Sequence, residues 1–337
     1  MALVDSAKAG VKRAIVRSGL LNLANGFLSD VVILRYHAVC DDPGKVAGVI
    51  GTSITQATSV FRQQMEIVAR RFHPLSIDDL LRGLQGELQL PRKAVVVTFD
   101  DGFADNLEIA APILNRLGIP ATFYIISDCA DGRTLPWFVR LRHALWTTQR
   151  HEWSDPIGAG RTFPTRSTED RRKAFIHACR QYVKQGATAQ RAYVAAVERQ
   201  LEIEPLPPDG LMLTWDQVRQ LQNMGHTIGS HTLTHPNLAL ADSDMLAAEV
   251  GESKRRLERE LGRTVDHFSY PNPAVEPNFN AASHAAVAGA GYRTAVTCVP
   301  GSVQPANDPL ALNRMWVPPE SDAFLWQLHL TALGHAP

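Results

Sequence analysis

The sequence predicts an α/β fold, a (β/α) barrel carrying a helical insertion, on three observations. Short β-branched apolar runs alternate with amphipathic helical segments roughly six times, which implies a parallel sheet with helical crossovers and favours closure into a barrel over an open sheet. Clusters of Asp and His fall at the carboxyl ends of those runs, the edge of a parallel α/β fold that carries functional loops. The alternation breaks between about 130 and 210, where Arg and polar residues rise and the pattern is helical.

Residues 1–29 are read as an N-terminal helix. Val11–Leu28 has the spacing of an amphipathic helix packed on the domain, with peripheral contact to a membrane surface as the alternative. Asp5, Lys8, Lys12, Arg13 and Arg17 interrupt its apolar residues, so it lacks the unbroken core of a secretory signal. No apolar run is long enough to span a bilayer.

The barrel is assigned to 30–320. Val31–Tyr36 reads as a buried strand, Phe61–Phe72 and Pro74–Leu84 as helices, and Ala94–Phe99 as a strand running into Asp100-Asp101-Gly102. Leu107–Leu117 is helical up to Gly118, a good terminator, and Ala121–Ile126 is again a strand. The insertion shows helices near Pro136–Thr147, Glu169–Gln185 and Thr188–Leu201. Its Trp137, Trp146 and Trp153 read as core, with stacking on sugar rings as the alternative. Trp215–Met224 (helix), His226–Ser230 (strand), Ser243–Leu261 (helix capped by Ser243), Val265–Tyr270 (strand), Ala281–Ala290 (helix) and Tyr292–Thr297 (strand) resume the alternation. Residues 321–337 form a C-terminal helix and tail.

Lys plus Arg and Asp plus Glu number 34 each in 337 residues, a balance that gives no support to nucleic-acid binding. Cys40, Cys129, Cys179 and Cys298 are scattered without a C-x-x-C pair. Neither a zinc ribbon nor a disulfide framework is expected, and reduced thiols in a cytoplasmic protein are. Oligomeric state is not legible.

Three motifs sit at strand ends. In Thr98-Phe99-Asp100-Asp101-Gly102, two adjacent carboxylates repel unless they share a cation or a proton, although Asp-Gly alone reads as a turn. In His231-Thr232-Leu233-Thr234-His235, two imidazoles at this spacing can share a metal, and Pro236 places them on a tight turn rather than a helix. A lone His is more often a satisfied core residue. Phe268-Ser269-Tyr270-Pro271-Asn272-Pro273 reads by itself as a proline-bounded strand exit; beside a metal, such a loop can aim an N–H at a developing oxyanion. One Asp and two His leave open positions on an ion, the pattern of a catalytic rather than a structural site.

Together these residues resemble the polysaccharide deacetylase family, the NodB-like carbohydrate esterases. Thr98–Gly102 matches the family's Thr-Phe-Asp-Asp-Gly motif and His231–His235 its His-(Ser/Thr)-x-x-His motif. The resemblance covers roughly 30–127 and 211–320. It implies a distorted (β/α) barrel and metal-dependent removal of acetyl groups from N-acetylated sugars in a polysaccharide or glycan precursor, with hydrolysis of another C–N bond or an O-acetyl ester, or a catalytically silent glycan-binding module, as the alternatives. Asp101, His231 and His235 would bind a divalent metal, Zn2+ best, with Co2+, Ni2+ or Mn2+ fitting the same ligands. Asp100 would be the general base, Thr234 would help fix a ligand, and Tyr270, Pro271 and Asn272 would border the substrate and oxyanion. Two departures stand out. Ser269 occupies the place of the family's usual motif Arg, so a base-orienting Arg must come from elsewhere, and Arg314 is the candidate. A clear C-terminal Leu-x-His is missing, since His329 lies in a helical pattern. Tyr36-His37 ends the first strand instead, as in a permuted, Phe-Ala-Tyr-Pro-type subgroup of exopolysaccharide deacetylases, which makes His37 the candidate acid.

Overall fold

The computed structural model describes residues 30–335 apart from 133, 158–159, 208–209 and 273–274; the helix expected over 1–29 lies outside the described residues. Seven strands form a closed ring: β1 (Val32–Tyr36), β2 (Ala94–Phe99), β3 (Ala121–Ile125), β4 (Thr227–Ser230), β5 (His267–Ser269), β6 (Thr294–Pro300) and β7 (Leu312–Trp316). They pair in chain order, each parallel to the next. β1 also pairs with β7, Leu34 opposite Met315, which shuts the barrel.

The period of two along each strand sorts the side chains. Val32, Leu34 and Tyr36, with Val95, Val97 and Phe99 and with Phe123, join the apolar cluster shared with the outer helices. Ile33, Val96, Tyr124, Val296 and Leu312 belong to a second cluster that fills the ring. Gly229 on β4 makes room for the Tyr124 ring there; a Cβ would lie 2.4 Å from it. The helix Ile77–Leu84 closes the amino end of the barrel. Its Ile77 and Leu80 join the inner cluster, and Asp78 binds Thr227 at 3.0 Å and His267 at 3.0 Å. The helix is started by Ser76, whose hydroxyl accepts from the Asp79 N–H. Outside the ring, Phe61 of the helix Thr58–Arg71 is fully buried, edge-on against the stacked rings of Tyr36 and Phe99, a burial that stabilises by about 2–3 kcal/mol.

The insertion lies between β3 and β4. Its helices are Trp137–Thr147, Thr168–Tyr182 and Ala187–Gln200, as the sequence predicts, joined by an antiparallel hairpin of Glu152–Ser154 with Thr162–Pro164 that it does not. They pack on a core of their own around Leu141, Trp153, Tyr182 and Val197. Asp242, not Ser243, caps the helix that follows β4, accepting from the Met245 N–H. That helix is wound as a π-helix over Ala247–Glu252 before it continues through Ser253–Leu261. The C-terminal helix is Ser321–Ala332. Among the described residues no helix is long and apolar enough to cross a membrane.

Candidate active site

β2 and β4 deliver the Asp pair and the His pair to the same rim. After Phe99 the chain turns through Asp101 (φ 75°) and Gly102 (φ 80°), left-handed backbone that Asp tolerates better than most residues and Gly adopts freely. The His231–His235 turn uses the same device at Thr232 (φ 67°) and His235 (φ 63°), at a cost on the order of 1–2 kcal/mol each. Buried Glu249, on the π-helical segment, offsets that cost. Its carboxylate accepts the Leu233 and Thr234 N–H groups at 2.9 Å each and the Thr234 hydroxyl at 2.6 Å. Thr232 Oγ1 accepts from the His235 N–H at 2.9 Å.

The turns bring one donor atom each of Asp101, His231 and His235 within 4.8 Å of one another, all three residues buried. Asp101 Oδ1 is 3.5 Å from His231 Nε2 and 3.6 Å from His235 Nε2. His231 Nδ1 donates to the Ser269 carbonyl at 2.8 Å, so its Nε2 presents a lone pair to the cluster. Asp101 Oδ1 is buried without a hydrogen-bond partner. A carboxylate oxygen facing the His231 lone pair in a desolvated site is unfavourable unless a cation lies between them. Tetrahedral ligands at about 2.1 Å from a metal sit about 3.4 Å apart, close to the spacing found. The donor set fits a divalent ion.

Asp100 is held from β7. Arg314 Nη1 and Nη2 donate to its two oxygens at 2.8 and 2.7 Å, a bidentate fork. The guanidinium is itself buried and fixed by the Thr297 carbonyl (2.7 Å), Thr98 Oγ1 (3.2 Å) and Ser269 Oγ (3.1 Å). Ser269 Oγ donates in turn to Asp100 Oδ1 at 3.1 Å. Burial pushes the Asp100 carboxyl up, but the Arg314 guanidinium overrides it and holds the group well below the usual carboxylate range. The Asp100 N–H donates to the Tyr36 carbonyl at 3.0 Å, tying the exits of β1 and β2 together. His37 Nε2 consequently stands 3.9 Å from Asp100 Oδ2. Burial pulls its imidazole down to about 4 against the attraction of Asp101 and Asp100.

A cleft of about 410 Å³ opens over these groups, with His37, Asp100, Asp101, His231 and His235 on its floor. The insertion supplies one wall through Trp137, Phe138, Arg142 and Phe175; Val49 and Ile54 stand on another side. Trp137 also donates its Nε1–H to the His235 carbonyl at 3.0 Å, so the insertion braces a cluster residue directly.

Asn272 borders the cleft as the motif suggests, but Tyr270 does not. Its ring is buried and stacked on Phe279 at 4.6 Å, its hydroxyl donates to the Leu310 carbonyl, and its N–H donates to the Val296 carbonyl. Tyr270 therefore has no N–H to offer an oxyanion; alternation along the strand turns Ser269 inward and Tyr270 outward. Pro271 is buried and has no N–H at all. The Thr234 hydroxyl serves Glu249 rather than a cluster imidazole. His329 is buried in the outer core against Phe72, its Nδ1–H donating to the Leu325 carbonyl at 2.9 Å. Sequence reasoning missed Glu249, although a Glu in the buried stripe of Leu246, Val250 and Leu257 is a signal of its kind.

A family model described as polysaccharide deacetylase matches residues 87–295, a stretch that contains both motifs of the Asp–His–His cluster. The Streptococcus pyogenes deacetylase PplD, in complex with acetate, superposes with a TM-score of 0.60 at 20% identity over 89% of this chain and 98% of that one. IcaB from Ammonifex degensii gives 0.54 at 17% identity over 89% and 97%. The BpsB deacetylase domain from Bordetella bronchiseptica gives 0.54 at 15% over 86% and 96%. At such identities these likenesses speak to the fold. No curated protein matches in sequence. The family match spans more than half of the 337 residues and runs through the barrel from before β2 into β6. The chain belongs to the polysaccharide deacetylase family.

Proposed function

We propose that the protein is a metal-dependent N-deacetylase, hydrolysing the acetamide of an N-acetylated sugar in a glycan or glycan precursor and releasing acetate. The observation that carries this reading is the convergence of Asp101, His231 and His235 beside an ionised, Arg-held Asp100 on the floor of one cleft. Asp101, His231 and His235 would hold the cation; the set suits Zn2+ best, and Co2+, Ni2+ or Mn2+ also fit. When bound, such an ion supplies Lewis acidity toward an acyl oxygen and makes water more acidic.

The chain's own groups do the rest. Asp100 takes a proton from the attacking water. Its carboxylate is a weak base because Arg314 stabilises the ionised form, so much of its contribution is aim: the fork and Ser269 leave it a single orientation. His37, on the far side of β2 from the His pair and next to Asp100, gives a proton to the leaving nitrogen. Burial keeps its imidazole neutral at rest, so the proton it gives is the one Asp100 has taken from water, passed on across the 3.9 Å between them, and Asp100 returns to its ionised form. The Asn272 N–H at the cleft edge meets the oxyanion. That His37 directly follows β1, which zips onto β2 from the amino-terminal side of the sequence, supports the permuted, exopolysaccharide-type arrangement.

The test is metal content and acetate release from acetylated chitooligosaccharides. Asp101→Ala loses the metal; Asp100→Asn keeps it and releases no acetate. An Asp100→Asn variant that works at the wild-type rate, or a metal-free protein that does, overturns the reading.

A further inference from the structure

The insertion decides what stands above the floor. Phe138, Arg142 and Trp146 follow at four-residue spacing on one face of the helix Trp137–Thr147, and Phe138 and Arg142 line the cleft. Arg142 is half-buried and rigidly placed. Its Nε donates to the Ala47 carbonyl at 2.6 Å, and its guanidinium lies 3.9 Å over the Trp146 ring, with the Phe175 ring at 5.6 Å. Among the described residues no carboxylate comes within ion-pair distance of it. Its neighbour Arg140 is paired with Glu198 at 2.9 and 2.6 Å, and Arg314, which does not line the cleft, is committed to Asp100. The wall around Arg142 is largely apolar, formed by Val49, Phe138, Phe175 and Ile176, with Ser53 and Cys179 as its other polar side chains. Burial pulls the guanidinium's pKa down, opposed by the Cys179 thiol and by no carboxylate. A half-buried cation held in place at a cleft, with no carboxylate partner, is left with donors and charge to offer a bound molecule that brings the counter-charge.

We propose that Arg142 recognises an oxyanion carried by the glycan, a sugar carboxylate or a phosphate ester, so that the substrate is an acidic glycan. The proposal rests on the deacetylase reading and narrows its substrate class. The planar guanidinium matches either anion in a two-point contact. The cleft of about 410 Å³ has the size of a small-ligand site and encloses roughly one to two sugar rings. The anion therefore belongs to the sugar that loses its acetyl group or to its immediate neighbour.

Wild type and Arg142→Gln are assayed for acetate release on three compounds: neutral di-N-acetylchitobiose, a disaccharide of N-acetylglucosamine and glucuronic acid, and N-acetylglucosamine 1-phosphate. Wild type should favour at least one acidic compound over the neutral one in kcat/KM, less so as salt rises. Arg142→Gln should lower that acidic-to-neutral ratio about 10- to 100-fold, mainly through KM, and Arg142→Lys should restore part of it. Which compound responds separates carboxylate from phosphate. No acidic preference in wild type, or an equal loss on neutral and acidic compounds, overturns the proposal and leaves Arg142 a brace for Ala47 and Trp146. Calorimetric titration with the two acidic compounds reads the same contact without turnover. Binding that needs Arg142 in a protein that releases no acetate sinks the deacetylase reading and keeps the anion site; equal binding by variant and wild type sinks the anion site.

Discussion

Arg314→Met takes the guanidinium out of a pair buried on both sides and is the sharpest probe of the site. The structure defines the loss: the fork to Asp100 at 2.8 and 2.7 Å and the bonds to Thr297, Thr98 and Ser269. Methionine refills much of the volume and adapts to irregular space, so the cavity contributes little. The dominant cost is a desolvated Asp100 carboxylate without its partner, about 3–5 kcal/mol, a large fraction of a typical total of about 5–15 kcal/mol. The pH dependence should reverse as well. In the wild type the folded Asp100 titrates below its unfolded value, so the pairing stabilises above about pH 4 and is lost as pH falls below that. Without Arg314, burial acts unopposed by the fork, the folded carboxyl titrates above its unfolded value, and stability instead declines as pH rises above about 4. Urea midpoints at pH 5 and pH 8, with acetate release, are measured for wild type, Arg314→Met, Asp100→Asn and the double variant. The single Arg314 variant should be destabilised by about 3–5 kcal/mol and lose turnover on the order of 100-fold. The double variant, with both charges gone, should regain stability but no activity. A single variant within about 1 kcal/mol of wild type, or a double variant no more stable than the single, refutes the reasoning.

Three further outcomes are expected. His37→Ala should keep its metal and lose turnover about 100-fold or more; unchanged acetate release removes His37 from the chemistry. Glu249→Ala strips the His231–His235 turn of its acceptor and should weaken metal binding about 10- to 100-fold in a chelator competition; wild-type affinity would mean the turn holds itself. Burial pushes the Asp105 carboxyl up to about 7, more than the Val39 N–H and Asn106 hold it down. The folded state then keeps a proton that the unfolded state releases between roughly pH 4 and 7, so stability falls across that window. Asp105→Asn should accordingly be more stable than wild type by about 2–4 kcal/mol at pH 8 and by nothing at pH 4, and a difference in urea midpoint that does not change with pH contradicts this.

How much of this was legible depended on what each residue faces. Val32–Tyr36 and Ala94–Phe99 are covered on both sides, so their largely apolar character, interrupted only by Arg35 and Thr98, announced buried parallel strands. β7 reads Leu-Asn-Arg-Met-Trp and gave no such sign, because its inward position carries Arg314 in place of an aliphatic residue. The chemistry of the site overwrote the pattern of the element that bears it. Asp100, Asp101, His231 and His235 were legible as motifs. The role of Glu249 was not: its partners are backbone N–H groups exposed by left-handed Thr232 and His235, conformations that neither residue type advertises. Tyr270 was misjudged for a simpler reason. The proline-bounded motif was taken as one unit, whereas strand alternation separates Ser269 from Tyr270. The hairpin at Glu152–Ser154 and Thr162–Pro164 has three residues per strand, too few for a period to show.

Strand β1 is clasped between β2 and β7, and the bond from Arg314 to Asp100 spans 214 positions of the chain. During synthesis the ring stays open until its last strand has emerged. A nascent or truncated chain ending before Arg314 exposes unpaired edges on β1 and β6 and buries a lone carboxylate at the rim, both unfavourable. Such a chain is a target for association or proteolysis rather than a sluggish enzyme. The closed rim and the paired Asp100 arrive in one step, with β7.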